Sequence, residues 1–81
     1  MRVAVIGTGY VGLVVGACLA ETGNDVVCAD VDAAKINLLR ANHVPIYAPA
    51  LEDLVERNQV QHRLLFTTDV ARAIAGSEVI F

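Results

Sequence analysis

The sequence has few of the residues on which several classes of small protein depend. It contains two cysteines, Cys18 and Cys28, and neither a CxxC motif nor a Cys/His cluster. A disulfide-built domain and a structural zinc site are therefore not expected, and both thiols are predicted to be reduced and buried in the core. The six basic residues are scattered, and the net charge is −3. Because a nucleic-acid surface needs clustered basic side chains, no nucleic-acid partner is expected.

Charge is lacking over a long stretch near the start, because residues 3–20 include no Asp, Glu, Lys, Arg or His. Such a stretch after Arg2 resembles a signal sequence, and Gly12 and Gly16 match the GxxxG pairing motif of membrane helices. However, the central segment GTGY would break the helix that an apolar signal core needs. We therefore predict neither a signal sequence nor a membrane span, no membrane partner, and a cytoplasmic location.

Short apolar segments alternate with helical ones along the chain, which is 56% apolar. Cap residues separate them: Gly23 follows the first helix, Asp32 and Asn42 bound the second, and Asp69 or Thr68 precedes the last. Strands are predicted over residues 1–6, 24–30, 63–68 and 78–81, helices over 10–22, 33–41, 49–57 and 70–75, and an extended connector over 43–49. This alternation is typical of an α/β fold with a parallel sheet and right-handed crossovers.

The chain ends inside its fourth predicted strand, on Val79, Ile80 and Phe81, without a turn or a polar cap. Its 81 residues make one small domain at most, and they are more apolar than so small a core can bury. We therefore expect residues 1–81 to be the N-terminal part of one domain, a fragment with no second domain in this sequence. The open edge of the fourth strand predicts self-association, and a homo-oligomer is expected.

Three glycines, Gly7, Gly9 and Gly12, stand between the first predicted strand and the first helix. A helix N-terminus binds anions through its free N–H groups and its dipole. In this spacing Gly7 makes the tight turn, Gly9 lets the backbone approach a pyrophosphate, and Gly12 lets the helix pack against the strand. Gly16 and Ala20 continue the bare face of Gly12, so the helix is expected to lie close to the sheet. The pattern predicts a dinucleotide-binding loop.

The second predicted strand ends on Asp30, 18 residues after Gly12. That spacing is close to the spacing of the acid that holds the adenosine ribose in dinucleotide-binding domains. A carboxylate accepts hydrogen bonds from ribose hydroxyls and repels a 2′-phosphate, so NAD is predicted over NADP. Tyr10 is as compatible with cofactor contact as with packing alone. Lys35 can be a solvated surface residue or a contact of the ribose or a phosphate.

The remaining polar residues form no constellation that could act on a substrate. His43 and His62 lie in polar connectors without a partner at catalytic spacing, and they are predicted to be solvated. On the charged face of the third helix, Asp53 and Arg57 are predicted to form an i, i+4 ion pair. Oxidation by NAD needs a base and a substrate pocket. Because neither can be located, the chain is interpreted as a cofactor-binding part only.

The whole sequence resembles the N-terminal part of the UDP-glucose/GDP-mannose dehydrogenase family. The segments GTGYVGL, ACLAETG and KINLLRANHVPIY carry this resemblance and are more similar to the UDP-glucose branch. The resemblance implies a Rossmann-type doubly wound parallel sheet, first half only, with four strands in the order 3-2-1-4. It also implies NAD as cofactor, within an enzyme that oxidises UDP-glucose twice at C6 to UDP-glucuronate through a thioester on a cysteine. The cofactor-binding residues that it implies are Gly7, Thr8, Gly9, Tyr10, Val11, Gly12, Asp30 and Lys35.

The chain departs from the family pattern at Ala48 and Ala50, where the family usually has Glu and Gly, and at Val15, where relatives often have Thr. Neither cysteine corresponds to the catalytic one, so the 81 residues alone are expected to be inactive and to meet UDP-glucose only through parts absent from this sequence. Three other interpretations stay open. They are the NAD-binding part of a GDP-mannose or UDP-N-acetylmannosamine dehydrogenase, a non-enzymatic nucleotide-sensing module, and a folding unit without measurable ligand affinity.

Overall fold

A computed structural model describes residues 1–44 and 49–81. Over these residues the predicted order of strands and helices is confirmed, and no boundary differs from its prediction by more than three residues. Residues 45–48 of the predicted extended connector, Ala48 included, lie outside the described residues. The elements are β1 (Arg2–Ile6), α1 (Tyr10–Glu21), β2 (Asp25–Ala29), α2 (Ala33–Arg40), α3 (Pro49–Val60), β3 (Leu64–Thr67), α4 (Val70–Ala75) and β4 (Val79–Ile80).

The four strands of the described residues form one parallel sheet in the order β3-β2-β1-β4, which confirms the predicted order. Val3 of β1 lies opposite Val26 of β2 and Val79 of β4. The pairing of β1 with the end of the chain continues past β4, because the Phe81 N–H donates to the Ala4 carbonyl at 2.8 Å. The chain runs from β1 through β2 to β3 on one side and then crosses back to β4 on the other side of β1, so the carboxyl ends of β1 and β4 flank a topological switch point.

The two faces of the sheet are covered unequally. Val3 and Val5 of β1 belong to the main core with buried side chains of α1, α2 and α3. Between them Ala4 points to the other face, where it forms a small cluster with Ala29 of β2 and Ala73 of α4. Alternation of side chains along β1 therefore places large residues under three helices and alanines under the short helix α4. Within residues 1–44 and 49–81 no helix is long and apolar enough to span a membrane.

The close approach of α1 to the sheet is confirmed at Gly16. A Cβ added to Gly16 would stand 2.7 Å from Sγ of Cys28 on β2, so a larger residue fits only if the Cys28 side chain or the helix shifts. Cys28 is buried as predicted, and burial raises the pKa of its thiol to about 12. Cys18 is exposed, so its predicted place in the core is wrong. The cause is its position in α1, one residue after the buried Ala17 and outside the stripe that faces the sheet.

The ends of the helices follow the predicted cap residues. Gly23, with φ +101°, follows α1, and Asn42, with φ +66°, follows α2. At the N-terminus of α2 the Asp32 carboxylate accepts from the Lys35 N–H at 3.1 Å. At α4, where two caps were possible, Asp69 accepts from the Arg72 N–H at 3.0 Å. The caps at Asp32 and Asp69 therefore fix where two loops at the carboxyl end of the sheet give way to a helix.

Helix α3 runs three residues beyond its predicted end at residue 57. The reason is Asn58, which is fully buried: its Nδ2 donates to the Leu54 carbonyl at 2.8 Å, and its Oδ1 accepts from Arg63 Nε at 3.0 Å. The predicted ion pair between Asp53 and Arg57 is wrong, since Arg57 instead donates from Nε to Glu21 of α1 at 3.2 Å. Arg57 therefore links α3 to α1 and does not form an ion pair within α3.

Candidate functional site

The loop between β1 and α1 presents a row of backbone N–H groups at the carboxyl end of the sheet. Gly7 turns the chain with φ +94°, and its N–H donates to the Ala29 carbonyl at 2.8 Å. Gly9 is the N-cap of α1, and its carbonyl accepts from the Leu13 N–H at 3.0 Å. Among the described residues, the N–H groups of residues 9–12 have no hydrogen-bond acceptor, and the first turn of α1 carries no acidic side chain. The positive end of the helix dipole is therefore open to an anion.

Two glycines of this loop, Gly12 and Gly9, differ in whether the fold itself requires them. A Cβ on Gly12 would collide with the carbonyl oxygen of Gly7, so glycine at this position permits the contact between helix and turn. A Cβ on Gly9 would meet nothing within 4 Å, and Gly9 has an ordinary φ of −68°. The fold alone therefore does not require glycine at position 9. A side chain at position 9 would obstruct only a ligand that approaches the loop from the solvent side.

Asp30 follows β2 directly and lies against the loop. Its Oδ2 accepts two hydrogen bonds from Thr8, from the N–H at 2.9 Å and from the hydroxyl at 2.8 Å. Its Oδ1 accepts one from the Asp32 N–H at 3.0 Å. Thr8 is 2% exposed, whereas the Asp30 side chain is 15% exposed. The Asp30 carboxylate therefore holds the loop through its hydrogen bonds with Thr8, while part of the carboxylate stays accessible to solvent.

The hydrogen bonds to Asp30 also fix its charge. The Thr8 N–H, the Asp32 N–H and the Thr8 hydroxyl stabilise the ionised carboxylate and lower the pKa of Asp30 from 3.8 to about 2. Lys35 Nζ lies 3.9 Å from Asp30 Oδ2, close enough for electrostatic attraction but beyond a hydrogen bond. Asp30 is thus negative at every physiological pH, with an ammonium group beside it.

An apolar groove of about 430 Å³ lies on the opposite side of the loop, towards β4. Val11 and Val15 of α1 line it together with Phe81, which follows β4. It therefore opens at the switch point between β1 and β4, where open α/β sheets bind ligands. A hollow of about 340 Å³ near Arg2, Asp25 and Gly76 lies at the amino ends of the strands, away from these groups.

The structure brings most of the predicted site residues together. The loop residues 7–12 lie between Asp30 and Lys35 on one side and the apolar groove on the other. Tyr10 is half exposed and, together with residues of α3, lines a separate apolar hollow. His43 and His62 are exposed, as predicted.

Sequence reasoning missed how Thr8 and Asp32 act on Asp30. Thr8 was assigned to the site only through the family resemblance, and Asp32 only as a helix cap. The available signal was a hydroxyl residue directly after the glycine of the turn, because that position faces the end of the neighbouring strand. Spacing along the chain could not show that a residue 22 positions before Asp30 donates to its carboxylate.

A parallel sheet, a glycine turn with unpartnered amides at the start of α1 and an acid at the end of β2 define a dinucleotide-binding domain of the Rossmann type. The chain belongs to the UDP-glucose/GDP-mannose dehydrogenase family, and a model of that family's NAD binding domain matches residues 1–81. The fold class, the family and the cofactor predicted from the sequence are thereby confirmed.

Known proteins are similar to the chain over nearly its whole length. UDP-glucose 6-dehydrogenase TuaD of Bacillus subtilis strain 168 is 55% identical over 80 residues, which cover 99% of this chain and 17% of that protein. The structure of a ternary complex of GDP-mannose dehydrogenase from Pseudomonas aeruginosa gives a TM-score of 0.94 at 40% identity, over 100% of this chain and 19% of that one. A UDP-glucose dehydrogenase from Pyrobaculum islandicum gives 0.93 at 35% identity, over 99% and 18%. The chain spans less than a fifth of the length of each of these relatives.

Proposed function

We propose that the chain binds NAD across the loop between β1 and α1. In this proposal the amides of residues 9–12 receive the pyrophosphate, Gly7 and Thr8 shape the turn beneath it, and Asp30 with Lys35 holds the adenosine ribose. Tyr10 and Val11 contact the cofactor along the loop. The observation that carries the proposal is the ionised Asp30 carboxylate beside a row of unpartnered amides at a helix N-terminus.

The charges of the site support NAD over NADP. Asp30 is ionised at neutral pH, and Asp32 adds a second carboxylate two residues later. The Lys35 ammonium is attracted to Asp30, which offsets the pull that it would exert on a 2′-phosphate. A ribose hydroxyl donates to a carboxylate, whereas a 2′-phosphate is repelled by one. When bound, the nicotinamide ring supplies hydride transfer, and this chain's own residues bind and orient the cofactor.

A pair of glycine substitutions tests the loop assignment. In Gly9→Ala the new Cβ has no neighbouring atom within 4 Å. In the control, Gly76→Ala at the end of α4, the new Cβ lies 3.6 Å from the Arg72 carbonyl oxygen, which is an ordinary contact. We expect both variants to unfold at nearly the parent temperature. NADH titration should show binding at least tenfold weaker for Gly9→Ala only, because its methyl group occupies the path of the pyrophosphate. Equal NADH affinity of the two variants would contradict the assignment.

We propose further that residues 1–81 are the N-terminal part of a UDP-glucose 6-dehydrogenase that converts UDP-glucose to UDP-glucuronate. The greater identity to TuaD, 55% against 40% for the Pseudomonas GDP-mannose dehydrogenase, supports this choice of sugar nucleotide. In this proposal the substrate-binding site and the catalytic cysteine belong to parts of the protein outside this sequence. The test is NADH formation by the full-length protein with UDP-glucose, GDP-mannose and UDP-N-acetylmannosamine in parallel. Activity with UDP-glucose alone is expected.

A second candidate is a GDP-mannose dehydrogenase. The observation that favours it is the structural similarity to the Pseudomonas GDP-mannose dehydrogenase, whose TM-score of 0.94 is as high as the 0.93 of the Pyrobaculum UDP-glucose dehydrogenase. The two scores are nearly equal because the two enzymes share the same fold in the part that matches this chain, whichever sugar nucleotide they oxidise. The parallel assay separates the candidates, since oxidation of GDP-mannose alone would select the second.

Self-association and a cytoplasmic location also stay predictions. The edge of the sheet beyond β4 exposes Ile80 and Phe81, each about half accessible, which is the kind of edge that pairs with another chain. We therefore propose that the 81-residue chain forms a homo-oligomer. Sedimentation equilibrium at rising concentration should give a mass above 8.6 kDa, and a monomer at the highest concentration would contradict the proposal.

A further inference from the structure

Thr8 is the buried polar residue nearest to the candidate ribose site, and its hydroxyl is directed at Asp30 rather than at the loop surface. Its Oγ1 lies 2.8 Å from Asp30 Oδ2, and Thr8 is 2% exposed. A side chain so deeply buried cannot reach a ligand that lies above the loop. We propose that Thr8 is a positioning residue, whose hydroxyl holds the Asp30 carboxylate so that Oδ1 faces the adenosine ribose. This inference rests on the proposed binding of NAD at Asp30.

The acceptor sites of Asp30 show why the orientation matters. A carboxylate has about four lone-pair sites, two on each oxygen. Both sites on Oδ2 are taken by Thr8, through its N–H and its hydroxyl, and one on Oδ1 is taken by the Asp32 N–H. One acceptor site remains, on Oδ1. The ribose is thereby offered a single, fixed acceptor, with the Lys35 ammonium 3.9 Å from Oδ2 as a nearby donor.

The hydroxyl and the N–H of Thr8 have different consequences if they are lost. The N–H bond belongs to the backbone and persists whatever the side chain at position 8. Removing the hydroxyl alone leaves the carboxylate with two backbone hydrogen bonds, one on each oxygen, instead of three, so its χ2 angle is less tightly restricted. The ribose then meets a less ordered carboxylate, and part of the binding free energy is lost in ordering it.

The test uses Thr8→Val, which keeps the shape of threonine without its hydroxyl, and Thr8→Ser, which keeps the hydroxyl. The binding of NADH to the full-length protein is measured by ligand fluorescence, below the unfolding temperature of every variant. Thr22→Val is the matched control, because the Thr22 hydroxyl donates to the Leu19 carbonyl at the far end of α1. If Thr8→Val does not fold, Thr8→Ala takes its place.

We expect NADH binding about tenfold weaker in Thr8→Val, within about twofold of the parent in Thr8→Ser, and unchanged in Thr22→Val. In an Asp30→Ala background, Thr8→Val should have no further effect, because the group that it positions is gone. A Thr8→Val variant that binds as tightly as the parent, or more tightly, overturns the inference. So does an equal loss in Thr8→Ser, or an undiminished loss in the Asp30→Ala background. Parent-like binding by Asp30→Ala would instead overturn the proposed role of Asp30 itself.

Discussion

At the scale of single residues, burial decides which polar groups of this chain are reactive and which are structural. Cys18 and Cys28 are the same chemical group at two positions of an apolar sequence, yet one is exposed on α1 and the other lies in the core under Gly16. The thiolate is the reactive form of cysteine, and burial disfavours it. The two thiols should therefore differ in reactivity although their sequence surroundings are alike.

One thiol per chain should react under native conditions. Cys18 is exposed, whereas burial raises the pKa of the Cys28 thiol to about 12, so Cys28 stays protonated at pH 8. With a thiol reagent such as DTNB, we expect one fast equivalent in buffer and two in guanidinium chloride. Cys18→Ser is the control and should show no fast equivalent. Rapid reaction of Cys28 in folded Cys18→Ser would contradict the burial described here.

At the scale of elements, the packing of α1 on the sheet sets the geometry of the cofactor loop. Gly12 allows contact with the Gly7 carbonyl, and Gly16 allows contact with Cys28 on β2. Because α1 starts at the loop, any shift of this helix away from the sheet also displaces the amides at its N-terminus. Gly12 and Gly16 therefore affect both the packing of the core and the position of the amides in the cofactor loop.

Gly16→Ala should destabilise the chain through a clash between the added methyl group and Cys28. Overfilling a packed core costs about 1–3 kcal/mol in the free energy of unfolding. The cost should be smaller when the variant is made in a Cys28→Ala background, because the sulfur atom that stands 2.7 Å from the new Cβ is then absent. Urea unfolding of the four proteins of this cycle measures the difference. An equal cost in both backgrounds would show that the clash lies elsewhere.

The predictability of the elements follows the range of the interactions that define them. The helix starts at Asp32 and Asp69 are local, because each cap bonds an N–H three residues ahead; Asp32 was predicted outright, and Asp69 was one of two predicted caps with Thr68. The end of α3 depends on Arg63, which bonds Asn58 from beyond the helix, and its boundary was predicted too early. Likewise Arg57 bonds Glu21, 36 residues away, and spacing favoured the nearer Asp53. The glycine spacing and the acid at the end of the second strand predicted the site from the sequence. The contact of Thr8 with Asp30 became visible only in the folded structure.

At the scale of the whole molecule, acid should weaken the fold through Asp30. Its pKa is about 2 in the folded state and near 3.8 in the unfolded chain, so the unfolded state takes up a proton first as the pH falls. The contribution of Asp30, on the order of 2 kcal/mol, is fully present above about pH 4 and is lost as the pH falls towards 2. Between pH 5 and 8 this contribution is constant, so Asp30 causes no pH dependence of stability in that range.

Unfolding measured from pH 5 to pH 2 should show this loss in the parent and a flatter profile in Asp30→Asn. Asp53→Asn, on the exposed side of α3, is the matched change of charge and should follow the parent profile. A parallel profile for Asp30→Asn and the parent would mean that the hydrogen bonds from Thr8 and Asp32 do not stabilise the ionised carboxylate.

The most direct test of the cofactor site is a parallel titration of the 81-residue chain with NADH and NADPH. The chain has no tryptophan, so the emission of the bound cofactor is measured almost without protein background. We predict saturable binding of NADH, much weaker binding of NADPH, and weakened NADH binding in Asp30→Ala. Equal affinity for both cofactors, or NADH binding unaffected by Asp30→Ala, would contradict the central claim that Asp30 and the glycine loop form the NAD site.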